Sequence, residues 1–330
     1  MHRISRLGRA RGWSEAAARS SLLGIMELHH VRDFVAVAEE LSFTRAADKL
    51  HVAQPSLTRK IRNLEEEIGV SLFDRGKGRL ALTEAGRAFL TEAKRLLALS
   101  AESIETARRV GRGDVERFRI GYTAGFDYHR LPATLAAFHR VCPAVKLSLF
   151  DLTCAEQMRG LEQYEIDLGF VGIPDALQGS GLSAACVGDY ELLAVLPEAS
   201  DLARKSAIAI EDLEDVPFIA LSLKEYPHYD EWMRRVSPAA FRPRRVQTPA
   251  RFSVMLNSVA AGLGVALMLE QNRHLPHEGV VFRHLKPPMR AELFAAWRPD
   301  DQSRPLHEYL RILKAAPQRP AASNVRLVKG

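Results

Sequence analysis

Two short runs of apolar residues at helical spacing lie between residues 42 and 69, separated by a break of three residues. In the second run the apolar residues fall on one stripe of an α-helix, so this stripe must face a core. The stripe consists of Leu57, Ile61, Leu64 and Ile68. Pro55 falls in the first turn of this helix, where the missing N–H of proline is tolerated. The pattern therefore predicts a helix that is buried on one face only.

The first run predicts a shorter helix that crosses the second one closely. Its buried residues are the small Ala46 and Ala47 together with Leu50. Thr44 is its predicted N-cap. The turn between the helices is His51, Val52 and Ala53. This spacing is that of a helix-turn-helix, although any pair of antiparallel helices with solvated polar faces shows the same apolar pattern.

The exposed face of the second helix carries side chains of the types that read DNA. Hydroxyl, amide and guanidinium groups recognise base edges and phosphates. On this face lie Gln54, Ser56, Thr58, Arg59, Lys60, Arg62 and Asn63. Two alternating runs follow at residues 71–75 and 79–83, and the segment Gly76-Lys77-Gly78 between them predicts a hairpin tip. A cationic hairpin beside such a helix indicates a wing.

Further helices are predicted on both sides of this segment. Residues 28–38 carry apolar residues at helical spacing, and Thr83 is placed to cap a long helix after the hairpin. The apolar residues of this long helix keep close to a repeat of 3.5 residues. They are Phe89, Ala93, Leu96, Ser100, Ile104 and Ala107. Such a stripe packs on its own chain or on a partner helix, and we favour the partner because the flanking domains are complete without it.

Residues 26–97 closely resemble the winged helix-turn-helix of the LysR-type transcriptional regulators. The resemblance is carried by FVAVAEELSFTRAADKLHVAQPSLTRKIRNLEEEIGVSLFDR and by LALTEAGRAFL, and it departs from the family at Ala53 and at the glycine-rich hairpin tip. It implies a DNA-binding domain at residues 26–83 and a dimerisation helix at residues 84–112. The residues assigned to DNA contact are Thr44, Arg45, Gln54, Pro55, Ser56, Thr58, Arg59, Arg62, Arg75 and Lys77.

From residue 117 onward predicted strands and helices alternate, which indicates α/β structure with parallel sheets. The first series has strands at residues 118–122, 145–150 and 166–171, with helices at residues 131–141 and 155–161. The second series has strands at residues 191–196, 218–221, 245–248 and 265–269, with helices at residues 229–236 and 252–261. A strand at residues 293–297 and a helix at residues 306–314 complete the chain. Two α/β subdomains are therefore predicted.

Two such subdomains create a cleft at the carboxyl ends of their strands, where ligands bind in these folds. Hydroxyls and free backbone N–H groups at helix starts bind anions well, although each such hydroxyl also serves as an ordinary helix cap. The candidate ligand-binding residues are Thr123, Ala124, Thr153 and Ser222, with Phe170 and Phe252 as apolar cover. A small carboxylate is the predicted ligand.

Residues 119–298 resemble the effector-binding half of the same family, and residues 122–172 are most similar to members that sense aromatic acids or their ring-cleavage products. In those members the residues matching Thr153 and Ser222 help to hold a carboxylate. The resemblance implies two Rossmann-like, periplasmic-binding-protein-like effector subdomains within residues 117–317. Subdomain I is predicted at residues 117–188 and 291–317, and subdomain II at residues 189–290.

The predicted function is that of a sequence-specific, ligand-responsive DNA-binding regulator. One DNA-binding domain reads too few base pairs, so a homodimer on an interrupted palindromic operator in double-stranded DNA is expected. The resemblance adds a homotetramer, and a promoter-bound RNA polymerase is a possible partner. The alternative is a small-molecule binding protein or α/β enzyme whose N-terminal helices serve only for association.

Charge is unevenly placed along the chain. The formal net charge of the 330 residues is +6, and residues 1–25 contribute five arginines against Glu15 alone, so the clustered cations of the predicted helix and wing are better evidence for DNA than the total. Residues 1–25 are either a disordered basic arm or an untranslated stretch before the true start at Met26, and we favour the second. Residues 318–330 are predicted to be a frayed tail.

Several function classes find no support in the sequence. Cys142, Cys154 and Cys186 have no paired spacing, so neither a disulfide framework nor a zinc site is expected, and a reducing cytoplasm fits. No apolar run reaches the length of a transmembrane helix. The sequence has no nucleophile elbow, phosphate loop or dinucleotide fingerprint. We therefore expect no enzyme, no cofactor, no metal site and no membrane partner.

Overall fold

The computed structural model describes residues 26–76, 80–112, 116–123, 130–237, 241–274, 277–316 and 327–328. The chain divides into two compact units between Thr106 and Ala107. The first unit is helical with a short hairpin, and the second is α/β. This is the predicted fold class. Residues 1–25, with the two interpretations given for them, lie outside the described residues.

Three helices and the start of a fourth surround the core of the first unit. The three helices are α1 (Leu28–Glu40), α2 (Phe43–Leu50) and α3 (Gln54–Ile68). Leu57, Ile61 and Leu64 of α3 are fully buried, as their spacing predicts. The chain turns between α2 and α3 at residues 51–53, and Pro55 occupies the first turn of α3. The predicted helix-turn-helix is confirmed.

Two details of the helix-turn-helix prediction are wrong. Ser42, not Thr44, is the N-cap of α2: its backbone is extended and its hydroxyl accepts a hydrogen bond from the N–H of Arg45 at 3.3 Å. Thr44 already lies inside the helix. Ile68 is 37% exposed because α3 ends there, at Gly69 with a φ of 81°, beyond the reach of the core.

The hairpin after α3 is shorter than predicted. Strands β1 (Phe73–Asp74) and β2 (Ala81–Leu82) pair antiparallel. The N–H groups of Leu72 and Phe73 donate to Oε1 of Glu65 at 2.8 and 3.0 Å, so a carboxylate of α3 replaces part of the predicted strand pairing. Residues 77–79 of the predicted tip, Lys77 among them, lie outside the described residues.

The long helix α4 (Glu84–Arg112) begins after Thr83, whose hydroxyl accepts from the N–H of Gly86 at 2.9 Å as expected of a cap. The predicted apolar stripe divides into two parts. Phe89 and Ala93 pack on the core of their own unit. Leu96 and Ile104 of the stripe are 37% and 50% exposed, and Leu99 beside them is 42% exposed. Among the described side chains of this stripe, the second part therefore leaves apolar surface uncovered.

Parallel strands open the second unit, as predicted. They are β3 (Arg117–Tyr122), β4 (Lys146–Asp151) and β5 (Leu168–Val171), and β3 lies between the other two. The helices between them are α5 (Arg130–Val141) and α6 (Cys154–Glu162). The carboxyl ends of β3 and β4 thus meet at one edge, directly before Thr123 and Thr153.

Two long strands then connect the subdomains. Strands β6 (Ser183–Pro197) and β11 (Val280–Trp297) pair antiparallel along their length. The predicted strands at residues 191–196 and 293–297 are therefore only parts of them. Strand β11 also pairs with β5 and with the short β7 (Ala207–Ala209), while β6 pairs with β10 (Ala266–Leu269). The two predicted sheets are consequently joined into one, in the order β10-β6-β11-β5-β3-β4.

The second subdomain adds a smaller parallel pair. Strand β8 (Pro217–Ile219) pairs with β9 (Arg244–Gln247), and Phe218 of β8 forms a parallel bridge with Val265 before β10. Its helices are α7 (Tyr229–Val236) and α8 (Phe252–Ala260).

The C-terminal helix α9 (Arg304–Ala315) returns to the first subdomain. Tyr309 of α9 hydrogen bonds Thr134 of α5 at 2.9 Å, and its ring lies 5.5 Å from that of Phe138. Within the predicted tail, β12 (Leu327–Val328) pairs with β6, and residues 317–326 and 329–330 lie outside the described residues.

Candidate functional site

The exposed face of α3 presents the side chains that the sequence assigned to base and phosphate contact. Gln54, Ser56, Arg59 and Arg62 are all exposed. Pro55 is exposed beside them, while Thr58 is half-buried and its hydroxyl donates to the carbonyl of Gln54 at 3.0 Å. The N-terminal half of α3 therefore offers a polar surface of amide, hydroxyl and guanidinium groups.

Other basic residues of this unit are engaged within the fold. Lys60 Nζ lies 2.8 Å from Oδ2 of Asp33, a residue of α1 that is only 1% exposed. Lys60 was predicted to lie on the free face of α3, and this part of the prediction is wrong. Arg45 pairs with the side chain and carbonyl of Glu40. Arg75 lies 2.7 Å from Oε2 of Glu65, a residue of α3. The Arg75 side chain is therefore held against α3 and does not extend freely from the wing.

The cleft of the second unit begins at Thr123, the residue after β3. Thr123 is 2% exposed, and its hydroxyl donates to the carbonyl of Leu152 at 2.7 Å. The same hydroxyl accepts from Nε2 of Gln157, which lies in the first turns of α6, at 3.1 Å. Thr123 thus ties the ends of β3 and β4 to α6. Ala124, the next predicted ligand residue, lies outside the described residues.

Thr153 stands at the N-terminus of α6 and forms a capping box with Glu156. The Thr153 N–H donates to Oε2 of Glu156 at 2.7 Å, and the Glu156 N–H donates to the Thr153 hydroxyl at 3.3 Å. The hydroxyl itself donates to Oε2 of Glu225 at 3.0 Å. Because Glu225 follows β8, this hydrogen bond joins the two subdomains across the cleft.

A second contact across the cleft is an ion pair. Arg251, directly before α8, places Nη2 2.9 and 3.2 Å from the two carboxylate oxygens of Glu156. Burial acts to raise the pKa of Glu156, but the Thr153 hydrogen bonds and the Arg251 charge outweigh it and lower the pKa. Glu156 is therefore held as a carboxylate between its own helix and the opposite subdomain.

Ser222 belongs to the turn that carries Glu225. Its carbonyl accepts from the N–H groups of Glu225 at 3.1 Å and of Tyr226 at 2.8 Å. Phe252 is 6% exposed, and its ring packs edge-on against Tyr226 with centroids 6.1 Å apart. Phe170 is 1% exposed on β5, in register with Ala295 of β11. The fold therefore brings Thr153 and the Ser222 turn together, whereas Phe170 belongs to the sheet.

Sequence reasoning missed several polar residues of this cleft, namely Gln157, Glu225, Tyr226 and Arg251. Tyr226 is fully buried, and its hydroxyl forms no hydrogen bond with the part of the chain that the structure describes. Burial raises the pKa of this hydroxyl, and Thr123 is near enough to oppose that rise. Ser222 was selected because it follows a predicted strand. Extending the same search by three and four residues would have included Glu225 and Tyr226. Arg251 does not directly follow a predicted strand either, so the same criterion did not single it out.

The described residues form neither a metal site nor an activated cysteine nucleophile. No cluster of His, Cys, Asp and Glu there is arranged to hold a metal ion. Burial raises the pKa of the Cys154 thiol to about 12, so this thiol is poorly suited to act as a nucleophile. Within the same residues no helix has the length and apolar character that a membrane crossing requires.

Comparisons with known proteins match both units. The LysR substrate binding domain family matches residues 111–318, and the lysR family of bacterial regulatory helix-turn-helix proteins matches residues 28–87. The HTH-type transcriptional regulator AlsR of Bacillus subtilis (strain 168) is 31% identical over 301 residues, covering 91% of this chain and 99% of AlsR. The Hca operon transcriptional activator HcaR of Escherichia coli (strain K12) is 32% identical over 295 residues, covering 88% of this chain and 97% of HcaR.

Solved structures give the same family. The crystal structure of full-length CbnR, a LysR family transcriptional regulator, in complex with its target DNA is similar with a TM-score of 0.61 and 26% sequence identity. The similarity covers 88% of this chain and 99% of CbnR. The matched families and relatives are transcriptional regulators rather than enzymes.

Proposed function

Because the chain belongs to the LysR family of transcriptional regulators, we propose that it binds a palindromic operator through α3 and is controlled by a small carboxylate in the cleft between its two α/β subdomains. The observation that carries the proposal is the pair of contacts across this cleft, Thr153 with Glu225 and Arg251 with Glu156. A ligand that enters between these residues must change how the subdomains approach each other. The alternative of an α/β enzyme has no support in the matched families.

For DNA recognition we propose that the N-terminal half of α3 enters a major groove. Gln54, Ser56, Arg59 and Arg62 are exposed there and supply the donors that base edges and phosphates accept. CbnR, a relative whose structure was solved with its target DNA, supports the assignment. Thr44, Arg45 and Arg75 lie nearby in sequence, but their supporting role is limited by the contacts that hold Arg45 and Arg75.

For assembly we propose a homodimer through α4, and a homotetramer through the effector units. The exposed Leu96, Leu99 and Ile104 supply the apolar surface for a partner helix. Two DNA-binding domains then match the two halves of an interrupted palindrome. The assembled regulator would act in the cytoplasm, where a bend in the operator is sensed by a promoter-bound RNA polymerase.

For the effector we propose a small aromatic or dicarboxylic acid. Thr123, Thr153 and the Ser222 turn line the cleft with hydroxyl and backbone groups, and the N-terminus of α6 adds a favourable dipole for an anion. Arg251 adds a positive charge from the opposite wall. Phe252, with Tyr226 against it, supplies apolar cover for a ring. Ala124 stays in the proposed set, whereas Phe170 is buried in the sheet and is not proposed to touch the ligand.

Calorimetry tests the ligand class. Wild type is titrated with benzoate, salicylate, muconate and catechol, beside Thr153→Val, which keeps the shape of the side chain but removes its hydroxyl. We expect a carboxylate to bind wild type and to bind Thr153→Val more weakly, by as much as roughly 1–3 kcal/mol, because one carboxylate oxygen loses a donor.

The matched control is Thr134→Val. Thr134 is equally buried, at 2% exposed, but its hydroxyl contacts Tyr309 rather than the cleft. This variant should bind carboxylates as wild type does. A wild-type protein that binds none of the carboxylates would refute the ligand class, and equal losses in both variants would remove Thr153 from the binding site.

A further inference from the structure

A carboxylate of the chain itself occupies the position at which the cleft is best suited to hold a ligand carboxylate. Glu225 Oε2 lies 3.0 Å from the Thr153 hydroxyl, and the Glu225 carbonyl accepts from the N–H of Ala155 at 2.9 Å. Both contacts are with the first turn of α6, although Glu225 is 72 residues further along the chain. The N-terminus of a helix favours an anion. The second subdomain thus supplies the anion that α6 attracts.

The donors of Thr153 are fully used in this arrangement. A threonine hydroxyl has one hydrogen to donate, and Thr153 gives it to Glu225. The Thr153 N–H is given to Oε2 of Glu156 at 2.7 Å. A ligand carboxylate therefore finds no donor at Thr153 until Glu225 withdraws.

Charge makes simultaneous occupancy unfavourable. Asp151, Glu156 and Glu225 place three carboxylates around this part of the cleft, and Arg251 contacts Glu156 at 2.9 Å and the Asp151 carbonyl at 3.4 Å. A ligand carboxylate beside Glu225 would meet a like charge at close range, which is costly in a partly buried site.

We propose that Glu225 is a specificity-determining residue of the cleft: its carboxylate competes with the ligand for the Thr153 hydroxyl, so that only ligands able to displace it bind with high affinity. The inference rests on the proposed function, since it assumes a carboxylate ligand at Thr153. Glu225 lowers the apparent affinity of a ligand, because the ligand binds only the fraction of molecules in which Glu225 has left the Thr153 hydroxyl. It also links ligand entry to loss of a contact that holds the two subdomains together.

The competition gives Glu225 and Thr153 opposite effects on ligand affinity. A typical buried hydrogen bond changes occupancy by a factor of about 2 to 12, so Glu225→Ala should tighten benzoate binding by that factor. Thr153→Val should weaken it. The loss caused by Thr153→Val should also be larger in the Glu225→Ala background, because in wild type the hydroxyl that is removed was already given to Glu225.

The experiment is a double-mutant cycle on the full-length protein, measured by calorimetry with benzoate and muconate. The four proteins are wild type, Thr153→Val, Glu225→Ala and the double variant. Glu225→Gln is added as the conservative change that keeps side-chain volume, and it should also tighten binding. Glu165→Gln removes the same charge at an exposed position outside the cleft and should leave binding unchanged. Benzamide, which has an acceptor oxygen but no charge, should gain less affinity from Glu225→Gln than benzoate does, because it meets no like charge beside Glu225.

A measurement without any ligand tests the role of Glu225 separately from the proposed ligand class. Hydrogen exchange of the amides of residues 153–157 should be faster in Glu225→Ala than in wild type, because the contact that covers the start of α6 is lost. Unchanged exchange overturns the role of Glu225. Wild type that binds benzoate with the same affinity as Glu225→Ala also overturns it and leaves the proposed function standing. Absence of carboxylate binding in every variant refutes the ligand class, and with it the competition.

Discussion

Neighbouring cations on α3 have different tasks at the scale of single residues. Arg59 and Arg62 are exposed, and no described residue pairs with either. Lys60, between them, reaches back to the buried carboxylate of Asp33 on α1. Helical spacing explains the difference, since Lys60 sits at the border of the buried stripe beside Ile61. Sequence composition alone treats the three as one basic patch.

Arg59→Ala tests base reading. We expect a loss of roughly 1–3 kcal/mol in operator affinity if Arg59 contacts a base edge, and little change on random DNA. The operator is first recovered by sequencing the DNA bound to the protein in its own cell, and affinities are then measured by fluorescence anisotropy. Arg311→Ala, at an exposed position on α9, removes the same charge as a control.

The two kinds of DNA distinguish the possible roles of Arg59. Equal losses on operator and random DNA would make Arg59 a phosphate anchor. Unchanged affinity for both would remove it from the interface.

Lys60→Ala should act on stability instead. Removing Lys60 leaves the Asp33 carboxylate, which is 1% exposed, without its partner at 2.8 Å. We expect the free energy of unfolding to fall by roughly 2–3 kcal/mol, which is less than for a fully buried pair because Lys60 is 31% exposed. Urea denaturation measures it. The double variant Asp33→Leu with Lys60→Ala should recover much of the loss, and a single variant as stable as wild type would contradict the prediction.

Part of the candidate site follows from the sequence at this scale. Thr123 and Thr153 were found because a residue at the end of a parallel strand and the start of a helix has a position fixed by local structure. Glu225 and Arg251 were not found, since their partners Thr153 and Glu156 lie 72 and 95 residues away. Only the approach of one subdomain to the other creates these contacts, and no local pattern records it.

Helices and strands with their own periodicity were predicted well at the scale of elements. Helix α7 has the predicted bounds, β3 and α5 differ from theirs by one residue at one end, and β4 is shifted by one residue at both ends. The long strands β6 and β11 were predicted only in part. Polar residues interrupt their first halves, and what keeps these segments extended is their pairing with each other, from Val280 with Pro197 to Trp297 with Ser183. This pairing joins segments that are far apart in sequence, so no local pattern predicts it.

Helix α4 gives a second prediction at this scale. Leu96, 37% exposed, lies where the stripe leaves the core of its own unit. Leu96→Asp places charges opposite each other in the proposed helix pair, so we expect the dimer to dissociate while each unit stays folded. Light scattering reports the mass and circular dichroism the fold.

The control for Leu96→Asp is Thr91→Asp. Thr91 is exposed on another face of the same helix, so the variant introduces a similar charge without entering the stripe. It should leave the oligomer and DNA binding unchanged. An unchanged oligomer with full operator binding in Leu96→Asp would contradict a dimer role for α4.

At the scale of the whole molecule, ligand binding in one unit must be transmitted to DNA bound by the other. A ligand achieves this only if it binds one arrangement of the subdomains better than another, because equal affinity for both shifts no population. A preference of about 100-fold changes the ratio of the two arrangements by the same factor. The contacts of Thr153 and Arg251 join the two subdomains across the cleft, so we expect a ligand bound there to distinguish one arrangement from another.

The final prediction concerns the bend of the operator. When wild type holds an operator labelled at both ends, addition of a carboxylate that binds by calorimetry should change the energy transfer between the labels. In the proposed tetramer, a new arrangement of the subdomains would alter the angle between the DNA-binding dimers. Thr153→Val should need more ligand for the same change, whereas Thr134→Val should respond as wild type does. Ligand that binds wild type without altering either the bend or transcription would refute the switch, and a bend that changes equally in Thr153→Val would place the sensing contact elsewhere in the cleft.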